Sequence, residues 1–339
     1  VPSLPIPRPL VLDAYWNLAA ERQRIYFRRL DGDLGPWTSD SILSSYKFCN
    51  AYRASDRVSQ YLIRDVIYAD SSYGAEDELL RIVLFRLFSK PATWELLCDA
   101  LGDVNLETFR AEKFGETLDT AFNSGQKLYT SAFILCANRA YGHPRKHRNH
   151  IALLEEMMRP GALSHSVAKA SSLNDLYEAL LSYPLIGPFM AYQLAIDINY
   201  SELCHFDESE YTIAGPGAHR GISKCFLDTG GWSDEQIILW MTERQDEEFD
   251  RLGIEFLSLF GRPLQAIDIQ NLFCEVDKYA RVAFPELKSN RSRIKARFSP
   301  SGELPQPFFP PKWELDPRLA KRRSVDAHGS AVTLAPTAS

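Results

Sequence analysis

The stretch YPLIGPFMAYQLAIDINYSELCHFDESEYTIAGPGAHRG (183–221) decides the fold. A short apolar loop closes on Gly187. An amphipathic helix follows, and an acidic turn at Asp207 leads into Gly215-Pro216-Gly217. Upstream, Ser172 can cap a helix over LNDLYEALLSY (173–183), so the loop joins two helices through a tight hairpin. The backbone N–H groups of such a turn can face a phosphate. The acidic turn is where the sequence points to chemistry. The rest of the chain reads as the helical body that positions it.

Working outward, helical periodicity dominates. Residues 1–12 carry four prolines and read as an extended arm. A helix over about 14–29 places Tyr15, Leu18, Arg22 and Ile25 on a mixed face, and Gly32 to Pro36 breaks it. The Ser/Asp pair in PWTSDSIL (36–43) starts another helix. YKFCNAYRASDRVSQYLIRDVIY (46–68) reads as two helices broken near Ala54–Ser55, the second capped by Ser55. Further helices are predicted over 75–89, 93–101, 115–138 with a break at Asn123–Gly125, 151–158, 188–200, from Ala218 onward, 235–260 and 264–284. Segments 142–149 and 160–171 read as loops. No run of alternating β-branched residues and no fixed-period repeat is present. The expected fold is all-α, an orthogonal helical array rather than a bundle. Residues 1–35 form an arm and helix, 36–285 the main domain with the hairpin at 173–200, and 286–339 a Pro- and charge-rich tail in which FFPPKW (308–313) docks back on the core.

With 339 residues, 45% hydrophobic and 24% charged, the chain has the composition of a soluble globular protein. No apolar run approaches a membrane span, and no basic-then-apolar signal opens the sequence, so a cytoplasmic or nuclear protein is expected. The net charge of −6 argues against nonspecific coating of nucleic acid. Local basic patches remain at HPRKHRNH (143–150), RSRIKAR (291–297) and KRR (321–323). Each reads equally as a solvated loop or tail. The six cysteines, at 49, 98, 136, 204, 225 and 274, are too scattered for a zinc site or an iron–sulfur cluster, and no metal site is expected.

Four constellations could carry chemistry. The first is the hairpin, Pro184, Ile186, Gly187, Pro188 and Phe189, with Asp207 and Glu210 in the acidic turn and Gln193 on the helix between them. The second is Gly215, Gly217 and Arg220 at a helix start, where free N–H groups and a positive helix end favour an anion. The third is Asn50, Arg53, Arg57 and Gln60. Guanidinium forks suit phosphate, and side-chain amides suit a base edge. The fourth is Asp268, Asn271, Glu275 and Lys278, which share one helix face in DIQNLFCEVDKY (268–279) and could line a pocket for an amine. The plain alternatives are a helix cap, a turn, a solvated face and a surface ion-pair ladder.

The hairpin resembles that of helix-hairpin-helix DNA glycosylases, whose pattern is Leu-Pro-Gly-Val/Ile-Gly before a small residue. Pro184, Ile186, Gly187 and Ala191 match, while Leu185 replaces the first Gly. That resemblance implies a hairpin gripping the DNA backbone, a place for a monovalent cation, and a catalytic Asp 18 residues beyond the position of a nucleophilic Lys. Counting from Phe189, which stands at the Lys position, gives Asp207. No Schiff-base lyase step is expected from a Phe.

KFCNAYRASDRVSQYLI, FMAYQLAIDINY, AGPGAHRG and DIQNLFCEVDKY together resemble the α-glutamyl/putrescinyl thymine pyrophosphorylases. These are also described as the helical domain of 5-hydroxymethyluracil DNA kinases or as DNA base hypermodification proteins. The likeness covers roughly residues 36–285. It implies replacement of pyrophosphate on an activated 5-hydroxymethyluracil in DNA by an amine co-substrate, without a bound cofactor. Asp207 would be the catalytic carboxylate, Gly215 and Gly217 would lie by the pyrophosphate, and residues 184–189 would grip DNA. The P-loop pattern GxxxxGK[ST] is absent, so a kinase step falls to a separate protein. Two other functions remain open on the same residues: a monofunctional glycosylase excising a modified pyrimidine, and a non-catalytic DNA-binding module.

Overall fold

The computed structural model describes residues 3–69, 73–130, 138–287, 293–294, 296–299, 302 and 304–316. In chain order the helices are α1 (Pro9–Leu30), α2 (Ser41–Ser45), α3 (Arg57–Tyr61, continued by a π-helical turn, Leu62–Ile67), α4 (Ala75–Phe88), α5 (Pro91–Leu101), α6 (Ala111–Asn123), α7 (Lys146–Met157), α8 (Leu163–Lys169), α9 (Leu173–Leu181), α10 (Pro188–Asn199), α11 (Pro216–Cys225), α12 (Asp234–Glu243), α13 (Gln245–Arg251) and α14 (Ala266–Ala283). Among the described residues the only sheet is a two-stranded antiparallel ladder of β1 (Ile6–Pro7) and β2 (Phe226–Asp228), where the sequence shows no strand pattern. The fold is therefore almost entirely helical, in line with the periodicity.

The chain divides into two compact units. The first takes Val1–Asp56, Glu208–Pro307 and Trp313–Ser339; the second takes Arg57–Asp207 and Phe308–Lys312. The core of the first unit forms where α1 and α11 pack on α14. Tyr15 of α1 donates its hydroxyl to the Ile269 carbonyl and stacks near Phe273, while Trp16 meets Phe249 edge-on. Gly217 and Gly221 lie one turn apart on α11 and let it approach α14 closely. A Cβ at Gly221 would fall 2.0 Å from the Phe273 carbonyl oxygen, and one at Gly217 would fall 2.7 Å from Cys274 Sγ.

The second unit is held by apolar packing of α4 against its neighbours and by one buried fork. Arg86 of α4 grips Asp197 of α10 through both carboxylate oxygens, at 2% and 0% side-chain exposure. Helices α9 and α10 flank the loop at 182–187: the Ser172 hydroxyl accepts from the Asp175 N–H to start α9, and Pro188 is the first residue of α10.

Several predicted elements differ, each for a tertiary reason. Residues 46–52 are not helical, because their polar groups are claimed elsewhere: the Cys49 N–H by Glu275 and its carbonyl by Arg22. Ser55 does not cap α3; its hydroxyl donates to the Tyr52 carbonyl. Segment 142–149 is helical from Lys146 on. Asp119 of α6 binds Arg145, His147 and Arg148, which docks that face. The small, polar segment 160–171 contains α8, which buries Leu163 and Val167. The predicted helix 235–260 is two helices. Gln245 turns its amide to Leu264, bonding both its N–H and its carbonyl, and Gly253 ends α13 at φ +63°. The predicted helix 115–138 stops at Asn123; its positions 131–137 lie outside the described residues, as do 291, 292, 295 and 321–323 of the basic patches.

Candidate functional site

In the second unit the hairpin loop Ser182–Gly187 is closed by two backbone bonds, Tyr183 N–H to the Leu180 carbonyl and Ile186 N–H to the Tyr183 carbonyl. Ile186 is buried and anchors the turn, while Pro184, Gly187 and Pro188 are exposed and Phe189 is half-buried. Leu185, standing where the glycosylase pattern has Gly, takes φ +68°. A left-handed conformation of this kind costs a non-glycine residue about 1 kcal/mol. Gly187 is the reverse case. Its φ of −87° suits any residue, and a Cβ there would meet nothing within 4 Å. Nothing among the described residues requires glycine at this position.

Helix α10 leads towards Asp207, the last residue of the long segment Arg57–Asp207 of the second unit. Its final residue, Asn199, closes the following loop by a two-bond clamp. The Asn199 side-chain N–H group donates to the Phe206 carbonyl at 3.0 Å, and the Phe206 N–H donates to the Asn199 side-chain oxygen Oδ1 at 2.9 Å. The Tyr68 hydroxyl holds the Tyr200 carbonyl at 3.0 Å and Glu202 at 2.6 Å. Asp207 therefore follows directly on a clamped residue, with its side chain exposed. Gln193 is fully buried in α10, and Gln60 is buried with its amide bonded to the backbone of Phe308. Arg57, the first residue of this unit, is exposed.

In the first unit the structure joins two of the sequence constellations. The loop Cys49–Asp56 lies against the polar face of α14. Arg53, 2% exposed, donates its backbone N–H to Asp268 at 2.7 Å, and Cys49 donates its N–H to Glu275 at 3.0 Å. Lys278 pairs with the same Glu275 carboxylate. Asp268, Glu275 and Lys278 thus fasten a loop and are not a solvated ladder. Asn271, also on α14, is half-buried. Asn50 is gripped by Arg22, whose guanidinium also reaches the Cys49 carbonyl, and donates to the Ser55 carbonyl and Asp56. Burial pushes the Asp56 carboxyl up to about 6. Burial, with a smaller contribution from the Glu208 charge, pushes Asp268 up to about 7. Glu208 is itself buried, 3.5 Å from Arg262, whereas Glu210 is exposed.

A cleft of about 770 Å³ in this unit opens at the start of α11. Arg8, Gly215, His219, Arg220 and Lys224 line it, together with the acids Asp234 and Glu286. Gly215 is the cap residue before α11. Arg220, Lys224 and Arg281 converge on the buried Asp277 carboxylate. Burial would raise that carboxyl, but Lys224 and Arg281 outweigh it and hold it below its usual range. Three cations on one carboxylate leave a local surplus of positive charge beside the cleft. Gly215 and Arg220 both line this cleft, while Gly217 serves the approach of α11 to α14.

The sequence assigns no role to Arg22 beyond its place on a mixed face, and none to Asp56, Asn199, Glu208, or Asp277 with Lys224 and Arg281. Arg22 had a legible signal: it interrupts a stripe with Leu18 and Ile25, and a charge on a buried stripe needs a buried partner. The others gain their roles from residues far away in the sequence. No group of His, Cys, Asp or Glu among the described residues could hold a metal ion, and the five described cysteines are free thiols.

A helical chain with a hairpin, a clamped acidic turn and a basic cleft is the setting for comparison with known proteins. The family described as "5-hmdU DNA kinase, helical domain" matches residues 10–289, and the chain belongs to that family. A curated relative from Bacillus phage SP10, named 5-hmdU DNA kinase, is 29% identical over 286 residues, covering 79% of this chain and 44% of the relative. The chain thus spans less than half the length of that relative. No solved structure matches.

Proposed function

We propose that this chain modifies bases in DNA by replacing pyrophosphate on an activated 5-hydroxymethyluracil with an amine. The observation that carries the proposal is membership of the helical-domain family over residues 10–289. In the reaction the amine nitrogen bonds to the 5-methylene carbon, the bond from that carbon to the pyrophosphate oxygen breaks, and the amine gives up a proton. Asp207 accepts that proton or stabilises positive charge developing on the methylene carbon. Pyrophosphate leaves with its negative charge matched by fixed cations, a part suited to Arg220, Gly215 and the start of α11. Asn50, Arg53 and Arg57, with Asp268, Asn271, Glu275 and Lys278, contribute to substrate binding directly or by holding the Cys49–Asp56 loop. Gly217, Gln60, Gln193 and Glu210 support the same reading only from their neighbourhoods.

The helix-hairpin-helix glycosylase topology belongs to this proposal. Pro184, Gly187, Pro188 and Phe189 would contact the DNA backbone, with Ile186 anchoring them from within. Gly187 supports it, because a glycine the chain does not need sterically is accounted for by a partner that approaches the backbone closely. A monovalent cation at the hairpin belongs to the same reading, as the resemblance implies. DNA and an amine are the substrates. The phosphorylation that activates the base falls to a P-loop kinase outside this sequence.

Mass spectrometry of nucleosides from DNA carrying 5-pyrophosphoryloxymethyl-uracil, incubated with the protein and a pool of amines, tests the proposal. Amine-substituted nucleoside is the expected product, and Asp207→Asn should lower its rate by about 100-fold or more while DNA still binds. Release of free base would instead establish the glycosylase. Full activity of Asp207→Asn would remove Asp207 from the chemistry.

A further inference from the structure

Residues 308–312 belong to the second unit although more than 100 positions separate them from the rest of it in sequence. They also lie beyond the residues the family match covers, 10–289. Their attachment is specific. Phe308 donates its N–H to the Gln60 side-chain oxygen Oε1 at 2.8 Å and accepts on its own carbonyl from the Gln60 side-chain Nε2 at 3.0 Å, so one side-chain amide takes up both backbone groups. Its ring packs 5.6 Å from that of Tyr68, and Pro310 is buried. At the far end, the Lys312 ammonium donates to the carbonyls of Ser201 and Cys204, both at 2.5 Å.

Those two carbonyls belong to the loop that runs from the end of α10 to Asp207. A helix C-terminus presents unsatisfied carbonyls and partial negative charge, so a cation is well placed there. The loop is now tied at its start by Tyr68 to the Tyr200 carbonyl, along its length by Lys312, and at its end by the Asn199 clamp on Phe206. Of these ties, Lys312 alone comes from outside the matched region.

We infer that residues 308–312 form a strap that sets the position of the Asp207 turn, with Lys312 as its positioning residue and Gln60 as its anchor. The inference rests on the reading of Asp207 as the reacting carboxylate. It assigns a functional part to a segment outside the family domain. Lys312 does not touch substrate. It acts by holding two carbonyls so that the turn presents Asp207 in one place.

The test uses the full chain with Lys312→Met and Lys312→Arg. A displacement of about 1 Å in a reacting group costs up to about 100-fold in rate. Lys312→Met should therefore lower kcat by about tenfold to 100-fold with little change in KM for DNA, and Lys312→Arg should restore most of it. Backbone hydrogen exchange should rise by at least about tenfold at 200–207 in Lys312→Met and stay unchanged at hairpin residues 183–190. An unchanged kcat in Lys312→Met, alongside an inactive Asp207→Asn, overturns the strap alone. Unchanged exchange at 200–207 also overturns it. Full turnover by Asp207→Asn overturns the reading beneath it, whatever the exchange data show.

Discussion

Two glycines of similar appearance in the sequence have opposite physical meanings. Gly221 is required from within: a side chain there meets backbone that cannot swing aside, so Gly221→Ala should cost on the order of 3 kcal/mol in a denaturant titration. Gly187 is not, and Gly187→Ala should change stability by less than about 1 kcal/mol. The same substitution should weaken binding of duplex DNA by about tenfold, the worth of one hydrogen bond to a phosphate. Equal affinity of wild type and Gly187→Ala would remove the hairpin from the DNA interface. Asp207 is a candidate through its spacing from Phe189, and its exposed position does not by itself single it out. Asp268 and Glu275 were legible as a shared face of one helix. What they hold was not, because the Cys49–Asp56 loop that takes up their oxygens was read as helix.

At the level of elements, the sequence was readable wherever a cap and an apolar stripe agreed. Ser172 before α9, Pro188 opening α10 and Asp40 before α2 all stand where the pattern places them, the last accepting from Ile42 and Leu43. Reading failed where one side chain redirected the backbone, as Gln245 does between α12 and α13. It failed again where two apolar residues sufficed for a helix, as in α8. The join between α4 and α10 leads to a stability prediction. Arg86→Met leaves the buried Asp197 carboxylate without its fork, and the loss should be about 3–5 kcal/mol by chemical denaturation. Replacing both residues with apolar ones of similar volume should recover much of it.

For the molecule as a whole, the long segment of the second unit, Arg57–Asp207, begins and ends on candidate residues. Arg57 is the first residue of the inserted segment and Asp207 the last. The chain's acid response also has an unusual sign over part of its range. Asp56, Asp268 and Glu78 have carboxyls pushed up to about 6, 7 and 7, chiefly by burial. Unfolded, each titrates near about 4. Between about pH 4 and 7 the folded chain therefore holds more protons at these groups than the unfolded chain, so their contribution to stability falls as pH rises through that window. Asp119 and Asp277 are held below their usual values despite burial, Asp119 by Arg148, His147 and Arg145 and Asp277 by Lys224 and Arg281. Their stabilisation is present above about pH 4 and is lost on further acidification. Urea midpoints from pH 4 to 7 should drop less steeply in Asp268→Asn than in the wild type. An identical slope would show that Asp268 ionises normally.

The Asn199 clamp has a consequence for how the chain can change length. Helix α10 advances about 1.5 Å per residue, and the clamp fixes which residue meets its last amide. An amino acid added or deleted between Ser201 and His205 would present a different peptide to Asn199 and swing Asp207 away, with no substitution at either position. The same insertion between Ala170 and Ser171, in the connection from α8 to α9, would be absorbed at little cost. The turn works as a gauge block: within this protein, insertions and deletions at 201–205 should be among the least tolerated changes of any connecting loop, and a deep insertion scan would reveal them as a narrow gap.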